Sequence, residues 1–145
     1  MTGEQIFAPL KTFVFESREQ PVTFVETTTE VADGVDCDVY KFDGDESKDL
    51  GIIRIKPGKK TPLQRVKLGD RTVEGFVSGK GKLMITKQDG TKIVYQVDDE
   101  EKTPFVVDVQ IGELMQWEAA PGEKLVAYEI CFPPYEDGRY ENIQE

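Results

Sequence analysis

The chain has 145 residues, of which 38% are hydrophobic and 32% are charged, and its formal net charge is −10. This length and composition predict one soluble globular domain, and the acidity argues against nucleic acids and membranes as partners because both surfaces are anionic. The absence of histidine excludes His-based acid–base catalysis, Ser–His and Cys–His nucleophilic pairs, and His-ligated metal centres.

Residues 1–20 are interpreted as an N-terminal arm, followed by a single domain over residues 21–145 that ends in a C-terminal tail. Two prolines, Pro9 and Pro21, interrupt the apolar positions of the arm. Because proline is tolerated at sheet edges, we predict one edge strand that lies over the domain or over a neighbouring subunit. The first 15 residues lack a basic segment followed by an apolar one, so we predict no secretion signal and a cytoplasmic protein. The widely spaced Cys37 and Cys131 predict reduced, largely buried thiols.

The rest of the chain consists of short β-branched and aromatic segments bounded by Gly, Pro and Asp, a pattern typical of strands. The predicted strands are 22–27, 36–42, 50–56, 72–77, 83–87, 92–97, 105–111, 114–118 and 124–132. The polar stretch 43–49 is interpreted as a loop, while Ser78–Gly81 and Gln88–Thr91 are interpreted as hairpin turns. About ten antiparallel strands with no long helix predict an all-β jelly roll.

The stretch Pro57–Gly81, PGKKTPLQRVKLGDRTVEGFVSGKG, resembles the first conserved motif of the cupin superfamily. Gly58 and Gly79 fall at the two ends of that motif. Gln64 and Val66 stand where the family has two metal-binding histidines. The resemblance implies a small single-domain cupin, with a cupin-like double-stranded β-helix (jelly-roll barrel) and a pocket in the open end of the barrel.

The motif's glutamate position falls on Thr72, or on Glu74 if the loop is aligned two residues later. Gly112–Glu113 fits the corner that begins the second cupin motif, and Gln116 or Trp117 lies nearest to the family's third histidine. The resemblance therefore implies a barrel that has lost its metal ligands, so we expect no metal and no cofactor. Since small cupins commonly pair through their sheets, it also implies a homodimer.

Two glutamates are candidate catalytic residues. Alternation along a strand places Thr72, Glu74 and Phe76 on one face, which points into the barrel if the motif alignment holds. Burial would raise the pKa of Glu74 and prepare it as a general acid or base; alternatively it pairs with an arginine or faces solvent. Glu129 is the second candidate, although an ion pair with Arg54 is its default interpretation.

The predicted ligand-binding residues are Arg54, Gln64, Thr72, Glu74, Gln116 and Trp117. The two glutamines would hydrogen-bond hydroxyl, carbonyl or amide groups, and Trp117 would stack on a sugar or simply fill the core. We therefore predict metal-independent binding of a small polar, carbohydrate-like metabolite. The alternatives are a sugar isomerase or epimerase with a carboxylate base, and a dimerisation module whose barrel is filled by side chains.

Overall fold

A computed structural model describes residues 8–100 and 104–144, so the first seven residues of the predicted arm lie outside the described part. Within these ranges the chain forms eleven strands and no helix, which confirms the predicted all-β class. The strands are β1 (Thr12–Phe15), β2 (Arg18–Ala32), β3 (Val35–Phe42), β4 (Asp45–Ile55), β5 (Gln64–Val66), β6 (Arg71–Thr86), β7 (Lys92–Asp98), β8 (Val106–Val109), β9 (Leu114–Ala119), β10 (Leu125–Phe132) and β11 (Tyr140–Asn142). No helix in this part of the chain is long and apolar enough to cross a membrane.

Two antiparallel sheets share the long strand β6. The first has the order β2-β3-β4-β10-β6-β8, and the second has the order β7-β6-β9-β5-β11. The first half of β6 pairs with β10 and β8, whereas its second half pairs with β9 and β7. This arrangement is the predicted jelly roll, in which the sheets pack face to face.

The hairpin turn predicted at Ser78–Gly81 is wrong, because β6 runs through this stretch without reversing. Its glycines permit close contact between strands instead of a turn. A Cβ atom on Gly79 would overlap the carbonyl oxygen of Lys124, and one on Gly81 would overlap that of Glu118. Gly79 also has a φ of 96°, which favours glycine. β6 changes partner from β10 to β9 here.

The inner faces of the two sheets enclose the main hydrophobic core. Strands β3 to β10 supply it, largely through alternate residues as the period of two requires: Val35, Ile53, Ile55, Val66, Leu83, Ile85, Val97, Val109, Met115, Trp117, Ala119, Leu125 and Ala127. A second cluster lies on the outer face of the first sheet, where β1 and the start of β2 cover it. Phe13 there packs edge-on against Tyr128, with ring centroids 4.9 Å apart.

Two further sequence predictions have different outcomes. The hairpin around Asp89–Gly90 is confirmed, because Thr86 and Lys92 pair at its ends. The loop predicted at 43–49 is wrong, because β4 begins at Asp45 and its Asp49 pairs with both β3 and β10. Polar side chains in this stretch therefore belong to a strand rather than to a solvent-exposed loop.

The C-terminal tail closes one end of the barrel. Its strand β11 pairs with β5, and the buried Arg139 precedes it. The Arg139 guanidinium donates to the carbonyl oxygens of Pro133 (3.0 Å) and Arg71 (2.7 Å) and to the Thr72 hydroxyl (2.9 Å). These bonds attach the tail to the adjoining ends of β6 and β10.

Candidate functional site

A cavity of about 500 Å³ opens between the first sheet, the segment before β5 and the C-terminal tail. The inward-facing residues of β2, β3, β4 and β10 form one wall, and the tail residues form the other. The residues that line it are Glu26, Thr28, Val31, Cys37, Val39, Asp49, Leu50, Gly51, Ile53, Thr61, Pro62, Gln64, Glu129, Cys131, Tyr135, Tyr140 and Asn142. Apolar strand surface thus lies beside amide, hydroxyl and carboxyl groups in one space.

A pair of glutamates lies at the wall of this cavity. Glu129 on β10 lines the cavity and is directly opposite Glu74 on β6. Glu74 is 1% exposed, and its Oε1 accepts a hydrogen bond from the Trp117 indole N–H (2.8 Å). Since Trp117 comes from the second sheet, this bond links the two sheets across the barrel interior.

The two carboxyl groups cannot both be charged without a large penalty. Burial, followed by the charge of Glu129, raises the pKa of Glu74 well above its ordinary value; the Trp117 bond opposes this. The Glu74 Oε2 atom is buried and has no hydrogen-bond partner, a costly state for an ionised oxygen. Burial and the neighbouring carboxyl group therefore both favour the protonated form of Glu74.

The cavity also contains Asp49 and two free thiols. Burial is the main reason that the pKa of Asp49 is raised, although the carboxyl accepts the backbone N–H of Tyr135 (3.0 Å). Burial raises the pKa of Cys37 to about 12 and that of Cys131 still further. Both cysteines are free, as predicted, and their thiols stay protonated at neutral pH, which makes them poor nucleophiles.

Only part of the predicted site comes together. Gln64 and Glu129 line the cavity, and Glu74 and Trp117 lie behind Glu129 in the core. Thr72 faces the interior, but it lines a second cavity of about 440 Å³ together with Arg71 and Asp108.

Arg54 and Gln116 lie away from the cavity. Arg54 is on the outer face of β4, where its guanidinium binds the Asp38 carboxylate in two hydrogen bonds (2.8 and 2.9 Å). The predicted Arg54–Glu129 ion pair is therefore wrong, because the two side chains project from opposite faces of the sheet. Gln116 lies on the opposite face of β9 from Trp117 and donates to the Thr61 carbonyl oxygen (2.8 Å).

The sequence analysis missed Asp49, Tyr135, Tyr140 and Asn142 as cavity residues. A usable signal existed for Asp49, because the alternation of Ile55, Ile53 and Gly51 continues back to it. No comparable signal exists for the three tail residues, whose position depends on the pairing of β11 with β5.

The residues at the expected metal positions do not fit a transition-metal ion. Val66 has no ligand atom and lies in the core. The Gln64 amide N–H donates to the Asn142 side chain (3.0 Å), and the Gln116 amide is bonded to Thr61. Within residues 8–100 and 104–144, no group of three or more Cys, Asp or Glu side chains is arranged to hold a metal ion.

Comparisons with known proteins assign the fold. No protein-family model and no curated protein sequence matches the chain. A cupin-2 domain protein from Rhodospirillum rubrum is structurally similar, with a TM-score of 0.62 and 18% identity over 95% of this chain and 86% of that one. Streptomyces PAC13, solved with uridine, has a TM-score of 0.58 and 12% identity over 82% of this chain and 84% of that one.

The capsular polysaccharide assembling protein CapF from Staphylococcus aureus also matches. Its TM-score is 0.59 and its identity 14%, over 86% of this chain but only 35% of CapF. The chain thus spans about a third of the length of CapF. Identities this low show the fold alone, and that fold is the cupin barrel that the motif resemblance implies.

Proposed function

Since the chain has the cupin fold, we propose that it binds a small polar, hydroxyl-rich metabolite of the carbohydrate type in the barrel cavity, without a metal ion. The observation that carries this proposal is the cavity itself. Its volume of about 500 Å³ exceeds the roughly 300 Å³ at which ligand pockets begin. It is also open, whereas the alternative of a dimerisation module requires a barrel filled by side chains.

The lining groups match the two kinds of surface that a sugar presents. The Gln64 and Asn142 amides and the Tyr135 hydroxyl can donate to and accept from ligand hydroxyl groups. Val39 and Ile53 supply an apolar wall for the C–H face of a ring. Two structural neighbours support this ligand class, because one was solved with uridine and the other assembles capsular polysaccharide.

A second candidate function is proton-transfer catalysis of the isomerase or epimerase type. The specific observation in its favour is the Glu74–Glu129 pair, in which two carboxyl groups lie opposite each other beside the cavity and the pKa of Glu74 is raised. In this reaction Glu129 would contact the substrate, since it lines the cavity, and Glu74 would act as a positioning residue behind it. Full turnover by the double variant Glu74→Gln/Glu129→Gln, on any substrate found, would remove this candidate.

The homodimer also belongs to the proposal, and sedimentation at several protein concentrations tests it. The monomer mass at all concentrations would contradict it.

A thermal-shift screen of neutral sugars, polyols and nucleosides tests the binding function. We expect at least one compound to raise Tm in a concentration-dependent manner, because a ligand that binds only the folded state stabilises it. Gln64→Ala should weaken that ligand by about tenfold, the effect of losing one or two hydrogen bonds. Gln110→Ala, which alters only the second cavity, is the matched control. Equal weakening by both variants, or no shift with any compound, would contradict the proposal.

A further inference from the structure

The charges around the barrel cavity are strongly one-sided. Among the described residues that line it, Glu26, Asp49 and Glu129 are acidic, and none is lysine or arginine. Glu74 lies directly behind Glu129 and is wholly buried, with an oxygen that lacks any hydrogen-bond partner. A cavity with low-dielectric walls and charge of one sign concentrates ions of the opposite sign.

Two cations of the adjoining strand β4 are engaged elsewhere, whereas Lys41 on β3 lies opposite Asp49 without being part of the cavity lining. Arg54 and Lys48 project from the outer face of β4 and pair with Asp38 and Asp45. The buried Arg139 acts on both Glu74 and Asp49, and it lowers the pKa of each.

Arg139 does not cancel the charge of the cavity. Its guanidinium is fixed by carbonyl oxygens and the Thr72 hydroxyl, and it is not part of the cavity lining. The pKa values of Glu74 and Asp49 remain raised despite its presence. No lysine or arginine therefore stands beside these carboxyl groups among the described residues that line the cavity.

Two aromatic rings of the cavity lining add to the attraction for a cation. Tyr135 and Tyr140 both line the cavity, with ring centroids 6.0 Å apart and planes inclined by 34°. The face of a tyrosine ring attracts an ammonium group within about 6 Å of its centroid. The Arg139 guanidinium already lies 5.9 Å from the Tyr140 ring centroid, so the carboxylates and the Tyr135 ring are the groups that remain for a bound cation.

We propose that the ligand of this cavity is a small organic cation, a protonated amine that lies next to hydroxyl groups, as in an amino sugar. This inference rests on the proposed binding function and narrows it. The ammonium group binds between Glu129 and Asp49, and the hydroxyl groups bind the Gln64 and Asn142 amides. Anionic ligands such as sugar phosphates are disfavoured because no cationic side chain lines the cavity to receive them.

The single tryptophan of the chain provides a direct reporter. The Trp117 indole N–H donates to Glu74, so its NMR resonance responds to any charge that enters beside the glutamate pair. We would titrate glucosamine, glucose and glucuronate, which share one ring and differ in charge. At about pH 6.5 the amine is protonated and the carboxylate is ionised.

Glucosamine should bind at least about tenfold more tightly than glucose, as expected for one added charge interaction in a partly solvated cavity. Glucuronate should give no saturable shift. In Glu129→Gln the preference for the amine should fall to about threefold or less, since the amide keeps the shape but removes the charge. Glu123→Gln, at the exposed turn before β10, is the control and should bind like the wild type.

Each contrary result has a distinct meaning. Glucose binding as tightly as glucosamine, or glucuronate binding best, would overturn the cationic ligand and leave the binding function intact. An unchanged amine preference in Glu129→Gln would overturn the site of the ammonium group. No saturable shift with any of the three sugars would overturn this inference together with the carbohydrate class of the proposed function.

Discussion

Replacement of Glu74 with glutamine should remove a pH-dependent loss of stability. The folded state raises the pKa of Glu74 above its ordinary value of 4.5, so it binds this proton more tightly than the unfolded chain does. The contribution of Glu74 to stability is therefore fully present below pH 4.5 and is lost as the pH rises toward the raised pKa. The expected slope is about 1.4 kcal/mol per pH unit for one such group.

The glutamine side chain in Glu74→Gln can hydrogen-bond to both Trp117 and Glu129 without binding a titratable proton. Its carbonyl oxygen can accept the Trp117 indole N–H, and its amide N–H can donate to Glu129. The free energy of unfolding of the variant should therefore exceed that of the wild type by a margin that grows with pH. Asp49, whose pKa is also raised, contributes equally to both proteins and cancels in the difference.

Urea unfolding between about pH 5 and pH 8 measures this difference. Glu123→Gln, at an exposed turn, serves as the control and should follow the wild-type slope. If the free energy of unfolding of Glu74→Gln followed the wild-type slope against pH across the range, the claim that burial raises the pKa of Glu74 would be refuted.

Three further predictions concern the scaffold around the cavity. Gly79→Ala should lower the free energy of unfolding by more than 3 kcal/mol, because the added Cβ would overlap a carbonyl oxygen. Gly90 also has a positive φ, but the space around it is open, so Gly90→Ala should cost only about 1 kcal/mol. Denaturant unfolding compares them, and equal losses would contradict the close strand approach. Arg139→Met should lower the free energy of unfolding by about 3 kcal/mol. Arg139→Lys should recover little of this loss, because lysine cannot reach several carbonyl oxygens at once. Full recovery by lysine would contradict the role of the Arg139 hydrogen bonds in holding the tail. Trp117→Phe should cost about 2–4 kcal/mol in the same assay through lost packing and an unpartnered carboxyl oxygen, and a neutral effect would contradict the cross-barrel bond.

Local patterns of the sequence predicted most of the longer strands, but they missed β5, β11 and the start of β4. Alternation placed Glu74 on one face with Thr72 and Phe76, and the motif resemblance directed that face inward. The structure agrees, because Glu74 is buried and Val73 belongs to the outer cluster. The prediction from glycines fails at Gly79, because closely spaced glycines are compatible with either a turn or a close approach of strands. The difference depends on Lys124, which is distant in sequence, so no local signal distinguishes the two.

The site was harder to predict because it depends on pairs of distant strands. Glu74 and Glu129 lie opposite each other because of the register between β6 and β10. The periodicity of a sequence does not determine the register between two strands. The wrong prediction of an Arg54–Glu129 ion pair has the same cause, because Arg54 meets Asp38 only through the pairing of β3 with β4. The position of Tyr140 likewise depends on the pairing of the tail with β5.

A crystal structure of the protein soaked with glucosamine tests the central claim most directly. The account predicts density for the sugar inside the barrel cavity, with its amine between Glu129 and Asp49 and its hydroxyl groups at Gln64. Sugar bound only outside the barrel, or a transition-metal ion coordinated within it, would contradict the account.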